Sequence, residues 1–326
     1  MFDTISIGSS LVDVYIFSDE FSLEHRQDGV YLCEKYGSKI EIDGFELRVG
    51  GGGANTAVSF SRLGFRAGVV SELGTDVAAE IIAHGLRLEK VGDSLLIKEK
   101  LEKTGGSVIM VGIDGGRTVM VSRGAASLLD PRDIPQTVLR QSRWIHLSSI
   151  GGRLGTLSAI FEAVPQMDTA GVSELFPKTP SRGVAGALSW NPGKAELLLL
   201  SEGRIRIADI PCSIFSVNRQ EWELLAAIQT EILSDCPEVL VTDGKKGGLL
   251  YLDGVPESYQ AVSLAAVDET GAGDSFISSY VAARLHSHSP QVAVKWGLAN
   301  AASVVGQIGA QPGLLSRSVL ETQSQM

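Results

Sequence analysis

Short apolar stretches alternate with segments of helical periodicity along most of this chain. Residues 67–73 (AGVVSEL), 143–149 (RWIHLSS) and 239–244 (VLVTDG) are mainly apolar at successive positions, as in strands that are buried on both faces. Residues 54–63 (ANTAVSFSRL) instead place small and apolar residues at helical spacing and end before a glycine. This alternation predicts an α/β fold with a Rossmann-like parallel sheet and helices on both of its faces.

The other predicted elements continue this alternation. The opening stretch, TISIGSSLVDVYI, is predicted to be one buried strand that ends near Asp13. Further strands are predicted at 187–192, 214–218 and 248–253, and further helices at Asp76–Leu86, Glu221–Leu233, Ser275–His286 and Gln291–Val305. Residues 165–187 have a weak pattern rich in Ser, Pro, Thr and Gly, and no role is assigned to them.

Two segments interrupt the alternation, at about residues 14–48 and 98–123. In the first, YLCEKYGSKIEIDGFELRV has the pattern of strands joined by turns. The second contains a β-hairpin pattern, TGGSVIMVGIDGGRTVMVSR, whose turn is Asp114-Gly115-Gly116. We therefore expect a single domain, residues 1–326, in which the two insertions form a small β-sheet lid over an edge of the main sheet.

Composition and charge disfavour several classes of partner. A formal net charge of −10 and a pI of about 5.1 argue against a broad surface for nucleic acid, so any anion site must be local. The N-terminus has no signal-peptide pattern, and the longest uncharged run, 296–316, contains Gly, Asn, Gln and Pro, unlike a membrane span. Three widely separated cysteines indicate reduced thiols. These features predict a cytoplasmic protein without a membrane partner.

Four consecutive glycines, Gly50–Gly53, precede the helix that contains Asn55. Glycines let a backbone approach a ligand with no side chain in between, and Asn55 adds an amide donor and acceptor near the helix start. A flexible loop entering a capped helix is the alternative interpretation. Four glycines exceed what a cap requires, which favours a ligand site.

Two further motifs follow predicted strands in the second half of the chain. Asn218 and Glu221 have the spacing of a capping box, and the same carboxylate could equally serve a Mg²⁺–water shell. Thr242, Gly244 and Gly247 form a strand end and a glycine turn. That turn suits a nucleotide phosphate or, equally, a plain β-turn between strands.

The stretch VDETGAGDSF, residues 267–276, carries the strongest chemical signal. Gly271, Ala272 and Gly273 at a helix start would present successive N–H groups to an anion, and Asp274 follows in the first turn. The helix dipole is expected to lower the pKa of Asp274 and to weaken it as a base. Phosphoryl transfer tolerates a weak base, because its loose transition state requires little proton removal before the P–O bond breaks.

Competing motifs are absent from the sequence. No G-x-x-x-x-G-K-[ST] occurs, since Lys194 is followed by Ala and Lys245 by Lys. A dinucleotide fingerprint fails because Phe276 stands where the third glycine would be and no acidic residue lies about 20 residues further on, which disfavours a dehydrogenase. His286 and His288 have the spacing of a metal pair, but a solvated helix end is the favoured interpretation.

Together these motifs resemble the ribokinase-like (PfkB) carbohydrate kinases over nearly the whole chain. Gly50–Gly64 resembles the first signature of that family, and Asp268–Phe276 resembles the second, D-x-T-G-A-G-D. Between them stand, in order, Asn191-Pro192, Asn218-x-x-Glu221 and Thr242-x-Gly244-x-x-Gly247. Five motifs in the same order make the resemblance specific.

The resemblance implies an ATP-dependent sugar kinase that uses Mg²⁺ and phosphorylates a hydroxymethyl group of a sugar or sugar derivative. It implies Asp274 as the catalytic base and Gly271, Ala272 and Gly273 as the anion hole. The implied substrate-binding residues are Asp13, Gly51, Gly52 and Asn55, and the implied nucleotide-binding residues are Asn218, Thr242, Gly244, Gly247 and Asn300. Glu221 would bind Mg²⁺ through water, and Asp268 and Thr270 are candidate ligands of a monovalent cation such as K⁺.

Several departures from the family pattern bear on the substrate. Gly52 stands where ribokinases have Lys, and Ser148-Ser149 lacks their sugar-binding Glu. Gly313 replaces a Ser near the cation site, which weakens the expectation of K⁺. Arg123 is a candidate contact for an anionic or polyhydroxy substrate, with an ordinary surface arginine as the alternative. Ribose is therefore not favoured over other sugars.

Two other functions stay open within this fold. A nucleoside kinase is the first alternative, and a sugar-binding regulator that has lost catalysis is the second. The intact GAGD sequence argues against the regulator, because a binding protein has no need of Asp274. An exposed face of the lid could also support a homodimer.

Overall fold

A computed structural model of the chain describes residues 1–98, 101–112, 116–165, 187–262 and 267–324. The strands are β1 (Thr4–Ile7), β2 (Leu11–Phe17), β3 (Ser22–Arg26), β4 (Gly29–Cys33), β5 (Gly44–Gly50), β6 (Ala67–Leu73), β7 (Leu96–Lys98), β8 (Gly106–Val111), β9 (Arg117–Ser122), β10 (Trp144–Leu147), β11 (Leu188–Trp190), β12 (Ile214–Asn218), β13 (Glu238–Thr242), β14 (Gly248–Leu252) and β15 (Val255–Tyr259). The α-helices are α1 (Gly52–Arg62), α2 (Val77–Leu88), α3 (Gln136–Arg140), α4 (Leu154–Phe161), α5 (Lys194–Ser201), α6 (Arg219–Leu224), α7 (Gln229–Asp235), α8 (Ala272–Leu285), α9 (Pro290–Val305) and α10 (Arg317–Ser324).

The main sheet has the spatial order β7-β6-β1-β10-β11-β12-β13-β14-β15. Its strands are parallel from β7 to β13, and β14 and β15 extend it in the antiparallel direction. Every residue of β1, β6, β10 and β11 is buried, as the uninterrupted apolar stretches predict. The predicted Rossmann-like parallel sheet is confirmed.

Helices cover both faces of this sheet. On one face, side chains of α4, α5, α6 and α7, among them Leu157 and Trp222, pack on strand residues such as Ile145. On the other face, α1, α8, α9 and α10 pack on Trp144 and its neighbours. Because Trp144 and Ile145 are successive residues of β10, they point to opposite faces, and both cores need apolar strand residues.

A second, small sheet has the order β5-β2-β8-β9 and is confirmed as part of the fold. Strands β8 and β9 form the predicted hairpin, and Asp114 and Gly115 of its turn lie outside the described residues. One face of the small sheet carries Asp13, Tyr15 and Arg117 toward the main sheet and its helices. Strands β3 and β4 form a separate hairpin within the first insertion. The single domain with insertions at about 14–48 and 98–123 stays a prediction.

The opening segment differs from its prediction, because it forms two strands in two sheets. The chain leaves β1 at Gly8, crosses through Ser9 and enters β2 of the small sheet. The carbonyl oxygen of Ser9 accepts hydrogen bonds from the N–H groups of Gly53 (2.9 Å) and Ala54 (3.3 Å) at the start of α1. This tertiary contact fixes the crossing, and Asp13 therefore lies inside β2 rather than at the end of a main-sheet strand.

The predicted helix Glu221–Leu233 is also divided, into α6 and α7. After α6, the N–H groups of Leu225 and Ile228 bond three residues back, which tightens the chain into turns. The side chain of Gln229 then donates to the Trp222 carbonyl oxygen at 2.8 Å and occupies that acceptor. Within the described ranges, no helix is long and apolar enough to cross a membrane. Residues 166–186, which include nearly all of the weakly patterned stretch, lie outside those ranges.

Candidate active site

Helix α8 begins at a sharp turn beside the small sheet. Gly271 precedes the helix with a φ of 79°, a left-handed conformation that favours glycine. A Cβ atom at this position would also overlap the Ala310 side chain. The turn therefore requires glycine both for its backbone angle and for the close approach of the segment that contains Ala310.

Asp274 lies in the first turn of α8 and faces the start of α1. Its Oδ2 accepts a hydrogen bond from Asn55 Nδ2 at 2.9 Å. A Cβ atom added at Gly52 would lie 3.5 Å from Asp274 Oδ1 and 3.0 Å from Ser148 Oγ. One carboxylate oxygen is thus fixed by Asn55, and the other lies beside a glycine that leaves room for a ligand.

Gln311 orients the amide of Asn55. Gln311 Nε2 donates to Asn55 Oδ1 at 3.1 Å, which leaves Asn55 Nδ2 directed at Asp274. Arg62 holds the segment around Gln311 in turn, because its guanidinium donates to the carbonyl oxygens of Gln311 and Leu314, each at 2.9 Å. This relay fixes both the position and the hydrogen-bonded oxygen of Asp274.

Burial raises the pKa of Asp274, and the hydrogen bond from Asn55 lowers it only in part. The expectation that the helix start would lower this pKa was wrong. Asp274 is half-buried between α1, α8 and the loop after β10, and the loss of water around its carboxylate has the larger effect on its pKa. Asp274 is consequently a stronger base than an exposed aspartate.

Asp13 is buried on the face of the small sheet that points toward the site. Its Oδ1 accepts a hydrogen bond from Ser107 Oγ at 2.6 Å. Burial raises the pKa of Asp13, Ser107 partly offsets this, and the negative charge of Asp268 raises it further. A cavity of about 560 Å³ between the small sheet and α2 is lined in part by Asp13, Tyr15 and Gln311. The cavity reaches the site at Asp13, and Asp274 does not line it.

Asp268 lies in the loop before α8 and is almost fully enclosed. It accepts hydrogen bonds from the N–H groups of Thr270 and Gly309, both at 2.9 Å. It also accepts from the Tyr15 hydroxyl at 3.4 Å and pairs with Arg117 at 2.7 Å. Burial acts to raise the pKa of Asp268, but the hydrogen bonds and the Arg117 charge outweigh it and lower the pKa. Asp268 is therefore ionised and ties the small sheet to the loop.

The start of α8 has the chemistry of an anion site. The first N–H groups of a helix have no acceptor inside it; in α8 the Ala272 N–H donates to the Glu269 carbonyl oxygen at 3.3 Å, and the N–H groups of Gly273 and Asp274 follow in the first turn. Gly273 is exposed, and a Cβ atom there would meet nothing within 4 Å. Open space beside helix N–H groups fits a phosphate oxygen.

The residues predicted for the nucleotide lie together on two neighbouring strands. Asn218 at the end of β12 stands beside Thr242 at the end of β13, and Gly244 and Gly247 form the turn that follows. The predicted capping box is present: Asn218 Oδ1 accepts from Glu221 N–H at 2.9 Å, and Asn218 N–H donates to Glu221 Oε2 at 2.8 Å. Burial raises the pKa of Glu221, and hydrogen bonding of its carboxylate by the backbone N–H and the side chain of Asn218 partly offsets the increase. The edge of the sheet thus presents an acceptor group beside an open turn.

Comparison with known proteins identifies the family. Residues 1–317 match the family described as pfkB family carbohydrate kinase. The chain belongs to this family.

Similar proteins include more than one kind of pfkB kinase. A ribokinase of Staphylococcus aureus is 26% identical over 310 residues, which cover 88% of this chain and 93% of the relative. A probable fructokinase-2 of Arabidopsis thaliana is 30% identical over 256 residues, which cover 74% of each protein. The structure of a putative ribokinase II from Escherichia coli, in complex with ATP and Mg²⁺, has a TM-score of 0.75 at 21% identity and covers 100% of this chain and 99% of that chain. The pfkB fold is therefore shown.

Two predicted site residues do not join the others in this pfkB kinase. Asn300 is fully buried between α8 and α9: its Nδ2 donates to Ser279 Oγ at 2.6 Å, and its Oδ1 accepts from Leu315 N–H at 2.8 Å. These bonds support a packing role. Arg123 is exposed at the end of the hairpin. His286 lies at the end of α8, as interpreted, but it is half-buried and stacks on Phe65 at 4.6 Å rather than being fully solvated.

Glu196 is a buried carboxylate that sequence reasoning missed. It accepts hydrogen bonds from Ser149 Oγ (3.0 Å) and from the N–H groups of Ile150 (2.8 Å), Gly152 (2.9 Å) and Gly193 (3.1 Å). The only sequence signal is a glutamate three residues after Gly193, the acidic half of a capping box without its Ser or Thr. Glu196 fixes the loop in which, by the resemblance, ribokinases carry their sugar-binding glutamate.

Proposed function

We propose that this pfkB family member is an ATP-dependent kinase of a sugar or sugar derivative, with Asp274 as the catalytic base. The observation that carries this proposal is the placement of Asp274. Asn55 holds one of its oxygens, the other lies beside Gly52, and Asp274 itself belongs to the first turn of α8. A base within the same helical turn as an anion site is what phosphoryl transfer to a hydroxyl requires.

The sugar would lie between the small sheet, acting as a lid, and the glycine turn before α1. Asp13 and Asn55 would accept and donate hydrogen bonds to its hydroxyl groups, and Gly51 and Gly52 would let it approach the backbone. Ser148 lies beside Gly52 and can contribute a hydroxyl where ribokinases, by the resemblance, have a carboxylate in the neighbouring loop. A hydroxyl in place of a carboxylate changes the hydrogen-bonding groups that the loop offers to the sugar, and this difference from ribokinases supports a substrate other than ribose.

In the proposed reaction, the substrate hydroxymethyl oxygen forms a bond to the γ-phosphorus of ATP while the bond from that phosphorus to the bridging oxygen breaks. The hydroxyl proton passes to Asp274, and ADP leaves with the bridging oxygen. The N–H groups of Gly271, Ala272 and Gly273 would stabilise charge on the transferring phosphoryl group. Asn218, Thr242, Gly244 and Gly247 would bind the nucleotide.

Glu221 fits the role proposed for it toward Mg²⁺. Reciprocal hydrogen bonds with Asn218 fix its position at the edge of the sheet, and a carboxylate is a ligand type that Mg²⁺ prefers. A bound Mg²⁺ would neutralise phosphate charge. Within the described part of the chain, no cluster of three or more His, Cys, Asp or Glu side chains could hold a metal by itself. Binding through water together with substrate phosphates accords with this sparse set of ligands.

An ADP-release screen tests the proposal. Purified protein with ATP and Mg²⁺ would be offered neutral sugars, sugar acids and nucleosides in turn, and products would be identified as phosphomonoesters by mass spectrometry. We expect ADP release that depends on one class of sugar. Release with nucleosides alone would favour the nucleoside kinase. Sugar binding without ADP release from any compound would favour the catalytically silent regulator.

The pH dependence of the reaction should depend on Asn55. Because Asp274 acts as a base only when ionised, kcat/KM should fall as the pH decreases through its raised pKa. Asn55→Ala removes the hydrogen bond that lowers this pKa, so the acidic limb of the profile should move to higher pH. Gln311→Ala should move it in the same direction and by less, because Asn55 remains. A limb that stays in place or moves to lower pH would contradict the proposed base.

The part of the small sheet's second face that α2 does not cover is proposed as a dimer surface; Val12 and Val49 of that face pack on α2. Phe45, Leu47 and Met120 are 62%, 49% and 53% exposed, and their strand registers place them on one face with Val14 and Val108 between them. A second copy covering this face would bury the apolar patch. Phe45→Glu is expected to convert a dimer into a monomer in sedimentation velocity, whereas a wild-type monomer at all concentrations would contradict the proposal.

A cytoplasmic location likewise remains a prediction, based on three unpaired cysteines.

A further inference from the structure

Arg117 joins the small sheet to the loop that precedes α8. It is the first residue of β9, and its Nη1 lies 2.7 Å from Asp268 Oδ1. The side chains of Arg117 and Asp268 are 28% and 5% exposed, so the pair is largely shielded from water. Asp268 lies shortly before Gly271, the residue at which the turn into α8 occurs, and its carboxylate accepts a hydrogen bond from the Thr270 N–H. A charge on the small sheet therefore contacts the segment that positions the anion site.

The carboxylate of Asp268 has a donor for each of its acceptor positions. Oδ1 accepts from the Thr270 N–H and from Arg117, and Oδ2 accepts from the Gly309 N–H and, at 3.4 Å, from the Tyr15 hydroxyl. A carboxylate has about four lone-pair positions, so these four partners saturate it. Asp268 as placed here does not fit the role of a ligand to a monovalent cation that the resemblance implied for it and Thr270.

We propose that Arg117 supplies the positive charge that would otherwise come from a bound monovalent cation, so that the kinase reaction needs no K⁺. This inference rests on the proposed function of the same site. Arg117 acts through Asp268 and is a positioning residue, because the group it contacts, Asp268, is not one of the residues proposed to bind a substrate. Since it belongs to the small sheet, its charge reaches Asp268 only when that sheet lies against the α8 loop.

The surrounding charges explain why the pair matters. Asp13 lies close enough to Asp268 for the negative charge of Asp268 to raise the pKa of Asp13. Arg48, the other cation beside Tyr15 at 5.8 Å, is already paired with Glu46. Removing Arg117 would leave Asp268 ionised, enclosed and next to a second acidic group, which is an unfavourable arrangement. A small cation such as K⁺ could then bind at the vacated position.

Two measurements on wild type and Arg117→Ala test the proposal. ADP release is compared in KCl and in choline chloride at equal ionic strength, and thermal unfolding is followed in the same two salts. Wild type is expected to give the same rate and the same Tm in both. Arg117→Ala is expected to lose at least about tenfold in kcat in choline, a barrier change of ~1.4 kcal/mol, and to recover most of the loss in KCl. KCl should also raise its Tm.

Matched variants separate this role from a general loss of an ion pair. Arg66→Ala removes the ion pair of Arg66 with Asp3 at 2.8 Å, which lies where β1 and β6 begin, at the end of the sheet opposite to the candidate site. This variant should have the same rate and the same Tm in both salts. The double variant Arg117→Ala/Asp268→Asn removes both charges, so KCl should no longer raise its Tm. Arg117→Lys keeps a positive charge and should remain independent of K⁺.

Several outcomes would overturn the proposal. A wild type whose rate or Tm rises in KCl shows that it needs the cation itself, and this arm requires no variant to fold. An Arg117→Ala protein that resembles Arg66→Ala in both salts shows that Asp268 does not need the charge. If wild type releases no ADP with any substrate, the proposed function fails, whereas the Tm measurements still decide whether Arg117 replaces a cation.

Discussion

Asp274→Asn is expected to lower kcat by on the order of 10²- to 10⁴-fold while leaving the protein folded, the range that a positioned general base contributes. The amide can still accept the hydrogen bond from Asn55 but cannot take the proton of the substrate hydroxyl. Because ATP and sugar bind mainly through other groups in the proposed site, KM should change less than kcat. Steady-state ADP release on the substrate found by screening measures both.

The stability of the same variant provides a control with a defined sign. Burial raises the pKa of Asp274 in the folded state above its value in the unfolded chain, so the folded state binds that proton more tightly. The resulting stabilisation is complete below the unfolded pKa and is lost as the pH rises through the folded pKa. At neutral pH the ionised carboxylate of Asp274 therefore lowers the free energy of unfolding, and Asn removes that charge, so Tm should stay the same or increase.

Asp209→Asn is the control for activity: it changes an exposed carboxylate paired with Arg206 and should retain wild-type kcat. Asp274→Asn activity within about threefold of wild type would exclude the base role, since a base contributes roughly 10² or more.

Much of the main sheet could be predicted from the sequence, because its strands are defined by local patterns. Residues 67–73 form β6 as predicted, and the strands around residues 145, 189, 216 and 240 lie where apolar residues follow one another. The exchange of the chain between two sheets at Ser9 could not be predicted. It depends on hydrogen bonds from Gly53 and Ala54, more than forty residues away along the chain, and no local pattern encodes that contact.

The candidate site shows the same division between local and distant information. Asn55 and Asp274 were recognised because each stands in a motif with nearby glycines. Their direct hydrogen bond joins residues 219 positions apart, and the bond from Gln311 to Asn55 spans 256 positions. The pKa of Asp274 was predicted with the wrong sign for a related reason. The helix dipole can be read from the local sequence, but burial depends on all the elements that pack around the carboxylate.

Glu196→Ala is expected to destabilise the fold by on the order of 2–4 kcal/mol, because the buried Ile150 N–H left without an acceptor costs about 1–3 kcal/mol and the three partly buried donors, which water can reach, add less. The variant removes the acceptor of the Ile150, Gly152 and Gly193 N–H groups and of the Ser149 hydroxyl. Urea unfolding measures the change. Glu202→Ala removes an exposed glutamate at the other end of α5 and should change stability by no more than about 0.5 kcal/mol.

The location of the change distinguishes this role from a uniform loss of stability. Amide hydrogen exchange of Glu196→Ala should increase first at Ile150 and Gly152, whose N–H groups lose their acceptor, before it increases in β10. Ser148 begins this loop and lies beside Gly52, so the sugar KM should rise more than the ATP KM. Glu196→Gln keeps the shape and one acceptor oxygen, and should restore part of the stability and of the sugar KM. Equal changes in exchange throughout the sheet, with both KM values unaltered, would show that Glu196 supports the fold without shaping the sugar site.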